Sequence, residues 1–147
     1  MSRSGPTGPE PTAEELRAIL RDTRTVAVVG ASDNPARPSN EVFGYLGRHS
    51  DYRLFPVNPT ITEVGGIPAY PSLAALPEIP DMVDVFRRYD ELPGVLTEVL
   101  ALTPRPKYLW LQQGLRHEAV AQAARAAGVT VVMDRCLKVD YARFTAN

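Results

Sequence analysis

Residues 25–32 read Thr-Val-Ala-Val-Val-Gly-Ala-Ser, a run of apolar and mostly β-branched side chains that stops at a glycine. A continuous apolar run without polar alternation predicts a strand that is covered on both faces, as in a parallel sheet. Gly30 then permits a tight turn, because glycine adopts backbone conformations that other residues disfavour. We therefore expect a buried strand over residues 25–29 whose carboxyl end opens into a turn.

Strand and helix patterns alternate on both sides of this run. Helices are predicted over residues 12–22 (capped by Thr12, with Glu15 in capping-box position), from Ser39 or Asn40 to residue 47, and over residues 92–102 and 117–127. Further strands are predicted over residues 52–57, 82–86, 108–112 and 129–133, and Pro68 marks residues 65–70 as a short edge segment.

This alternation indicates a Rossmann-like α/β fold. Strands separated by single helices are joined by right-handed crossovers, which build a doubly wound, mainly parallel sheet with helices on both faces. We expect a five-stranded sheet in the order 2-1-3-4-5, with the short edge strand beside the second strand. The ligand site of such a sheet lies at the carboxyl ends of its strands.

The composition sets limits on the class of protein. The 147 residues suffice for one domain over residues 12–147, after a Ser-, Gly-, Pro- and Thr-rich tail over residues 1–11 that we expect to be disordered. A formal net charge of −1 gives no general attraction to nucleic acid or to an anionic membrane. The single cysteine, Cys136, excludes an intrachain disulfide and suits a cytoplasmic protein.

The turn after the first strand is the most informative part of the expected site. Small residues at Gly30, Ala31 and Ser32 let a phosphate approach backbone N–H groups, and the helix that follows adds its positive amino-terminal end. Arg37, in the segment that ends at Ser39, offers a charge-assisted contact to phosphate.

A nicotinamide dinucleotide fits this sequence poorly. The dinucleotide fingerprint requires three spaced glycines, whereas Ser32 and Pro35 stand at the second and third positions. The fingerprint also requires an acid at the end of the second strand, where this chain has Asn58. No Gly-Lys-Ser/Thr triplet of a P-loop occurs either.

Five short segments resemble, in order and spacing, the single-domain CoA-binding protein family, which is related to the CoA-binding domain of the succinyl-CoA synthetase α chain. These segments are residues 30–32, 56–59, 83–87, 110–114 and 133–136, and the resemblance extends over about residues 16–144. It implies a Rossmann-like fold that holds coenzyme A or an acyl-CoA at the strand ends.

The resemblance also implies roles for individual residues. Gly30, Ala31 and Ser32 would face the diphosphate of CoA, whereas Val57, Asn58 and Pro59 would lie along its adenosine. Phe86 and Arg87 would flank the nucleotide, and Gln113 with Gly114 would line the pantetheine arm. This chain has Thr60 where many relatives carry a basic residue, so that Arg37 or Arg87 would have to meet the ribose 3′-phosphate.

These features favour a small-molecule binding module without catalysis of its own. A subunit or fragment of an acyl-CoA ligase is the alternative, and a NAD-binding redox regulator is a weaker one. We predict no catalytic residue and no metal site; Cys136 is either a packing residue or a thiol that pairs with that of CoA. Asp84, inside an apolar strand, needs a partner such as Arg135 or helix N–H groups. A homodimer is left open.

Overall fold

The computed structural model describes residues 10–146. Most of the predicted tail, residues 1–9, lies outside the described residues, and the two tail residues within them are Glu10 and Pro11. Arg116 donates a hydrogen bond of 2.8 Å to the Glu10 carboxylate, which joins this end of the described chain to the loop before the fourth helix.

Residues 10–146 contain seven strands, five of them in the main sheet. In chain order they are β1 (Thr25–Val29), β2 (Arg53–Val57), β3 (Glu63–Val64), β4 (Ile67–Pro68), β5 (Met82–Val85), β6 (Tyr108–Leu111) and β7 (Thr130–Val132). The five longer strands are all parallel and lie in the order β2-β1-β5-β6-β7. The predicted 2-1-3-4-5 order is confirmed, because β3 and β4 form a separate antiparallel pair.

The predicted edge segment lies beside the second strand. Tyr70, two residues after the end of β4, forms a parallel bridge with Val57. Its N–H donates to Pro56 O and its carbonyl accepts from Asn58 N, both at 2.9 Å. These bonds cover the end of edge strand β2 that is nearest the turn after β1.

In the described part of the chain, five helices cover the sheet. They are α1 (Ala13–Asp22), α2 (Pro38–His49), α3 (Leu92–Leu100), α4 (Glu118–Ala126) and α5 (Leu137–Thr145). Side chains of α3 and α4 form a buried cluster on one face of the sheet. Those of α1, α2 and α5 form a second cluster on the other face. The sheet is therefore doubly wound, as the alternating pattern predicts. No helix among residues 10–146 is both long and apolar enough to cross a bilayer.

Two local expectations are corrected. Helix α1 has the predicted capping box between Thr12 and Glu15, but α2 begins at Pro38, so the prediction that Ser39 or Asn40 caps it is wrong. Proline fits the first helical position because its φ is already helical and the N–H it lacks would have no acceptor there. Helix α5 was not predicted, although Leu137, Tyr141 and Phe144 have the spacing of one helix face.

Candidate functional site

A cleft of about 830 Å³ lies across the carboxyl ends of the parallel strands. The residues that line it come from the segments that follow β1, β2, β5, β6 and β7 and from the first turns of α2 and α5. Strand β1 lies between β2 and β5, so that its connection to α2 opens at the point where the strand order reverses. The cleft is therefore at the position that the fold rule predicts for a ligand.

Gly30 lies where three strand ends approach one another. Its N–H donates to Val57 O at 2.9 Å, and the next strand is joined to β1 by the bond from Phe86 N to Val29 O at 2.8 Å. Gly30 has a φ of +84°, and a Cβ at this position would be 2.5 Å from the backbone oxygen of Phe86. Only glycine satisfies both conditions, so the small residue predicted for phosphate approach is also required by the packing of the strand ends.

The turn after Gly30 is held by side chains. Ser32 Oγ accepts from Asn34 N at 3.0 Å, and Asn40 Nδ2 donates to Ser32 O at 3.0 Å. The backbone N–H groups of Ala31, Ser32 and Asp33 donate to no acceptor within residues 10–146. Three donors without acceptors in an ordered turn form an arrangement suited to an anion.

Asn58 joins the turns after β1 and β2. Its Nδ2 donates to Ala31 O at 2.9 Å, and its Oδ1 accepts from both the N–H and the hydroxyl of Thr60 at 2.9 and 2.8 Å. The side chain is thus engaged in positioning one wall of the cleft. Its remaining surface still contributes to the lining.

The cleft carries two cationic side chains without an acidic partner. Arg88 lies 3.2 Å from Glu91, and Lys138 lies 2.6 Å from Glu41. Within the part of the chain that the structure describes, the guanidinium groups of Arg37 and Arg87 have no hydrogen bond or ion pair. The net charge of the lining is therefore positive, although the whole chain is formally −1.

Eight of the twelve residues predicted for the site line the cleft. They are Gly30, Ser32, Arg37, Ser39, Asn58, Phe86, Arg87 and Gln113.

The other four predicted residues lie outside the lining. The side chains of Ala31 and Val57 are buried in the clusters below the cleft, since Ala31 is 1% and Val57 2% exposed. Pro59 is exposed. Gly114 has a φ of +92°, and its N–H is engaged in a hydrogen bond to Asp134 Oδ1 at 2.7 Å. Any contact of Ala31 or Val57 with a ligand would have to use the backbone.

Lys138 and Val139 line the cleft although the sequence did not predict them there. They were missed because their position depends on α5, which brings its first turn to the ends of β6 and β7. Gln112 and Cys136 lie in the strand-end segments expected at the site, and both line the cleft, although neither was among the twelve residues predicted to bind the ligand. The signal for Gln112 was Asp84, a second polar residue inside the neighbouring buried strand that needs a hydrogen-bond partner.

Asp84 is completely buried in the middle of β5, between Val28 and Trp110 of the adjacent strands. Gln112 Nε2 donates to Asp84 Oδ1 at 2.9 Å, and Asp84 Oδ2 has no partner. Burial raises the pKa of this carboxyl to about 7, and the hydrogen bond from Gln112 opposes the rise. Arg135, suggested as its partner, instead donates from Nη2 to Asp140 Oδ1 at 3.1 Å, because α5 places that carboxylate closer.

The described residues contain no cluster of three or more His, Cys, Asp or Glu side chains placed to hold a metal ion.

A family model described as "CoA binding domain" matches residues 24–142 of the chain.

Similar proteins cover most of the chain. The uncharacterized protein YneT of Bacillus subtilis is 42% identical over 132 residues, which are 90% of this chain and 96% of YneT. The solved structure of cell-free ID.343 from Thermus thermophilus has 44% identity and a TM-score of 0.84, and it covers 90% of this chain and 98% of its own.

A segment of the chain is also similar to part of a CoA ligase. The α subunit of the ADP-forming acetate–CoA ligase II of Pyrococcus furiosus is 40% identical over 62 residues, or 42% of this chain. That segment is 13% of the ligase subunit.

Proposed function

The chain belongs to the family of CoA-binding domains, and from this premise we propose that it binds coenzyme A or an acyl-CoA in the cleft at the strand ends. The observation that carries the proposal is the pair of cleft arginines, Arg37 and Arg87, that lack an acidic partner. CoA carries a diphosphate and a 3′-phosphate, and arginine binds phosphate through paired, charge-assisted hydrogen bonds.

The turn after β1 supports the diphosphate end of the proposal. The N–H groups of residues 31–33 have no internal acceptor, and the amino-terminal end of α2 begins directly beyond them. Backbone donors and a helix amino terminus together favour a phosphate. In this arrangement Ala31 contributes its N–H, since its side chain is buried.

The end of β2 favours CoA over a nicotinamide dinucleotide. A carboxylate at this position holds the ribose hydroxyls of the dinucleotide. Asn58 stands here instead, and its side-chain oxygen already accepts two hydrogen bonds from Thr60. We propose binding alone and not the ligase reaction, because the alignment with the ligase covers 13% of that subunit.

A thermal-shift comparison of CoA, NAD and ATP tests the proposal. A ligand that binds only the folded state stabilises it by about 2.7 kcal/mol at a concentration one hundred times its dissociation constant. CoA should therefore raise the melting temperature more than NAD or ATP does at the same concentration. Equal or larger shifts with NAD would contradict the proposal.

A further inference from the structure

Gln112 is a buried residue that nevertheless reaches the cleft. Its side chain follows β6 and is 5% exposed, yet it belongs to the cleft lining. Its Nε2 donates to Asp84 Oδ1, and its Oε1 makes no hydrogen bond within residues 10–146. Oε1 is also not among the fully buried polar atoms that lack a partner, so it keeps some accessible surface.

Asp84 determines which way the amide of Gln112 points. The oxygen and nitrogen ends of an amide have the same shape, so the hydrogen-bond partner selects the orientation. In the structure Asp84 Oδ1 accepts from Gln112 Nε2, and an ionised carboxylate can only accept. The amide nitrogen therefore faces the sheet, and the oxygen is left for the cleft.

Burial of the Asp84–Gln112 pair costs free energy of folding, which a role in the fold alone does not explain. Asp84 Oδ2 is buried without a partner in the central strand, between an apolar side chain and an indole. An apolar residue would pack there without that cost. Polar groups retained against such a cost are found preferentially at functional sites.

The position of Gln112 indicates which part of the ligand it would meet. The free arginines lie in the segments after β1 and β5, whereas Gln112 lies after β6, next along the sheet. On the side of Gln112 away from β5, the lining residues after β6 and β7 are uncharged or internally paired: Gln113, Leu115 and Cys136 are uncharged, and Lys138 is bonded to Glu41. An uncharged arm with amide N–H groups suits this end better than a phosphate does.

We propose that Gln112 Oε1 accepts a hydrogen bond from an amide N–H of the pantetheine arm of CoA, and that Asp84 is the residue that positions it. This inference rests on the proposed function. It assigns to the Asp84–Gln112 pair the recognition of the arm, separately from the phosphates.

Calorimetric titrations with CoA and with adenosine 3′,5′-bisphosphate, which lacks the arm, test the inference. Gln112→Met should weaken CoA binding about tenfold and leave the binding of the bisphosphate unchanged. Tenfold corresponds to about 1.4 kcal/mol, the range of one hydrogen bond. Gln122→Met, an exposed change on α4 outside the lining, should leave both affinities unchanged.

The aspartate is tested by its conservative replacement. Asp84→Asn keeps an oxygen that accepts from Gln112 and should bind both ligands within about twofold of wild type, whereas Asp84→Leu should lose affinity for CoA alone. The double variant Asp84→Leu, Gln112→Met removes the buried carboxyl together with its partner. This double variant should fold even if Gln112→Met does not, and it should lose affinity for CoA but not for the bisphosphate.

The outcomes separate the two proposals. Failure of the wild type to bind CoA would overturn the proposed function and this inference together. Wild-type binding of CoA with an unchanged ratio of CoA to bisphosphate affinity in the Gln112 and double variants would overturn this inference alone.

Discussion

Some residues at the strand ends are required by the fold as well as by the cleft, whereas others contribute to the cleft alone. Gly30 is the best example, since its positive φ and its contact with the Phe86 backbone are structural requirements at the edge of the cleft. Arg37 and Arg87 differ, because within residues 10–146 their guanidinium groups make no hydrogen bond or ion pair that accounts for their presence. Substitutions at these two kinds of residue should therefore have different effects, one on stability and the other on binding.

Replacing Gly30 by alanine should destabilise the fold by at least about 2 kcal/mol. The left-handed conformation costs a residue with a Cβ about 1–2 kcal/mol, and the new Cβ would be 2.5 Å from Phe86 O. Urea denaturation measures the change. Gly94→Ala in helix α3 is the matched control, because no atom beyond the adjacent residues and the helix backbone lies within 4 Å of the added Cβ. Alanine is also more favourable than glycine inside a helix by up to about 1 kcal/mol. Equal stabilities of the two variants would contradict this explanation.

Removing either cleft arginine should weaken CoA binding about tenfold or more. Hydrogen bonds to charged groups contribute roughly 1.5–3 kcal/mol each. Arg37→Ala and Arg87→Ala are compared by calorimetry with Arg21→Ala, an exposed change on α1 outside the lining. The arginine that meets the 3′-phosphate is the one whose variant loses the preference for CoA over dephospho-CoA. If all three variants bind like wild type, these arginines do not contact phosphate.

Asp84 should make stability fall as pH rises. Burial raises the pKa of its carboxyl from 3.8 to about 7, so that the folded state holds a proton that the unfolded chain has already lost. Stability is therefore full below about pH 4 and decreases through about pH 7, by an amount on the order of 4 kcal/mol.

Asp84→Asn tests this assignment. The variant should gain stability over wild type at about pH 8 and much less at about pH 5, as measured by urea denaturation at both values. Asp51→Asn, a change at an exposed residue, should alter the free energy of unfolding only slightly, and by the same amount at both pH values. A wild type and an Asn variant with parallel pH profiles would show that Asp84 does not titrate in this range.

At the scale of elements, helix α5 completes the cleft. Leu137, completely buried in the cluster with α1 and α2, anchors it to the sheet. The first turn of α5 brings Lys138 and Val139 into the lining of the cleft, next to Cys136. The helix therefore links the packing of one sheet face to the shape of the ligand site.

Leu137→Ala should cost about 2–5 kcal/mol in the free energy of unfolding, since it leaves a cavity in a packed core. Val139→Ala on the same helix should change stability by no more than about 0.5 kcal/mol, because Val139 is 52% exposed. Denaturation of both variants in urea provides the comparison. A small effect at Leu137 would mean that α5 is not packed on the sheet.

The sequence predicted elements whose signal is local. The apolar run of β1, the capping box at Thr12 and the strand order all follow from short-range patterns and from the chirality of crossovers. The cap of α2 was assigned wrongly because Ser39 and Asn40 have capping side chains, whereas Pro38 already starts the helix. The Asp84–Gln112 bond was not predictable in the same way, since it depends on a contact between distant parts of the chain. Helix α5 was missed although Leu137, Tyr141 and Phe144 have the local spacing of one helix face.

At the scale of the whole molecule, charge is distributed unevenly. A chain with a formal charge of −1 places two free arginines and the unpaired N–H groups of one turn in a single cleft. A second cavity, of about 600 Å³, lies between α1 and edge strand β7, and Arg125 is the one cationic residue among the described residues that line it. We therefore assign the phosphates to the first cavity and none to the second.

A crystal structure of the protein grown with CoA tests that assignment most directly. We expect the diphosphate within hydrogen-bond distance of the N–H groups of residues 31–33, with the guanidinium of Arg37 or Arg87 bonded to a phosphate. CoA bound in the cavity beside β7, or bound at the strand ends with its phosphates away from both arginines, would contradict this expectation.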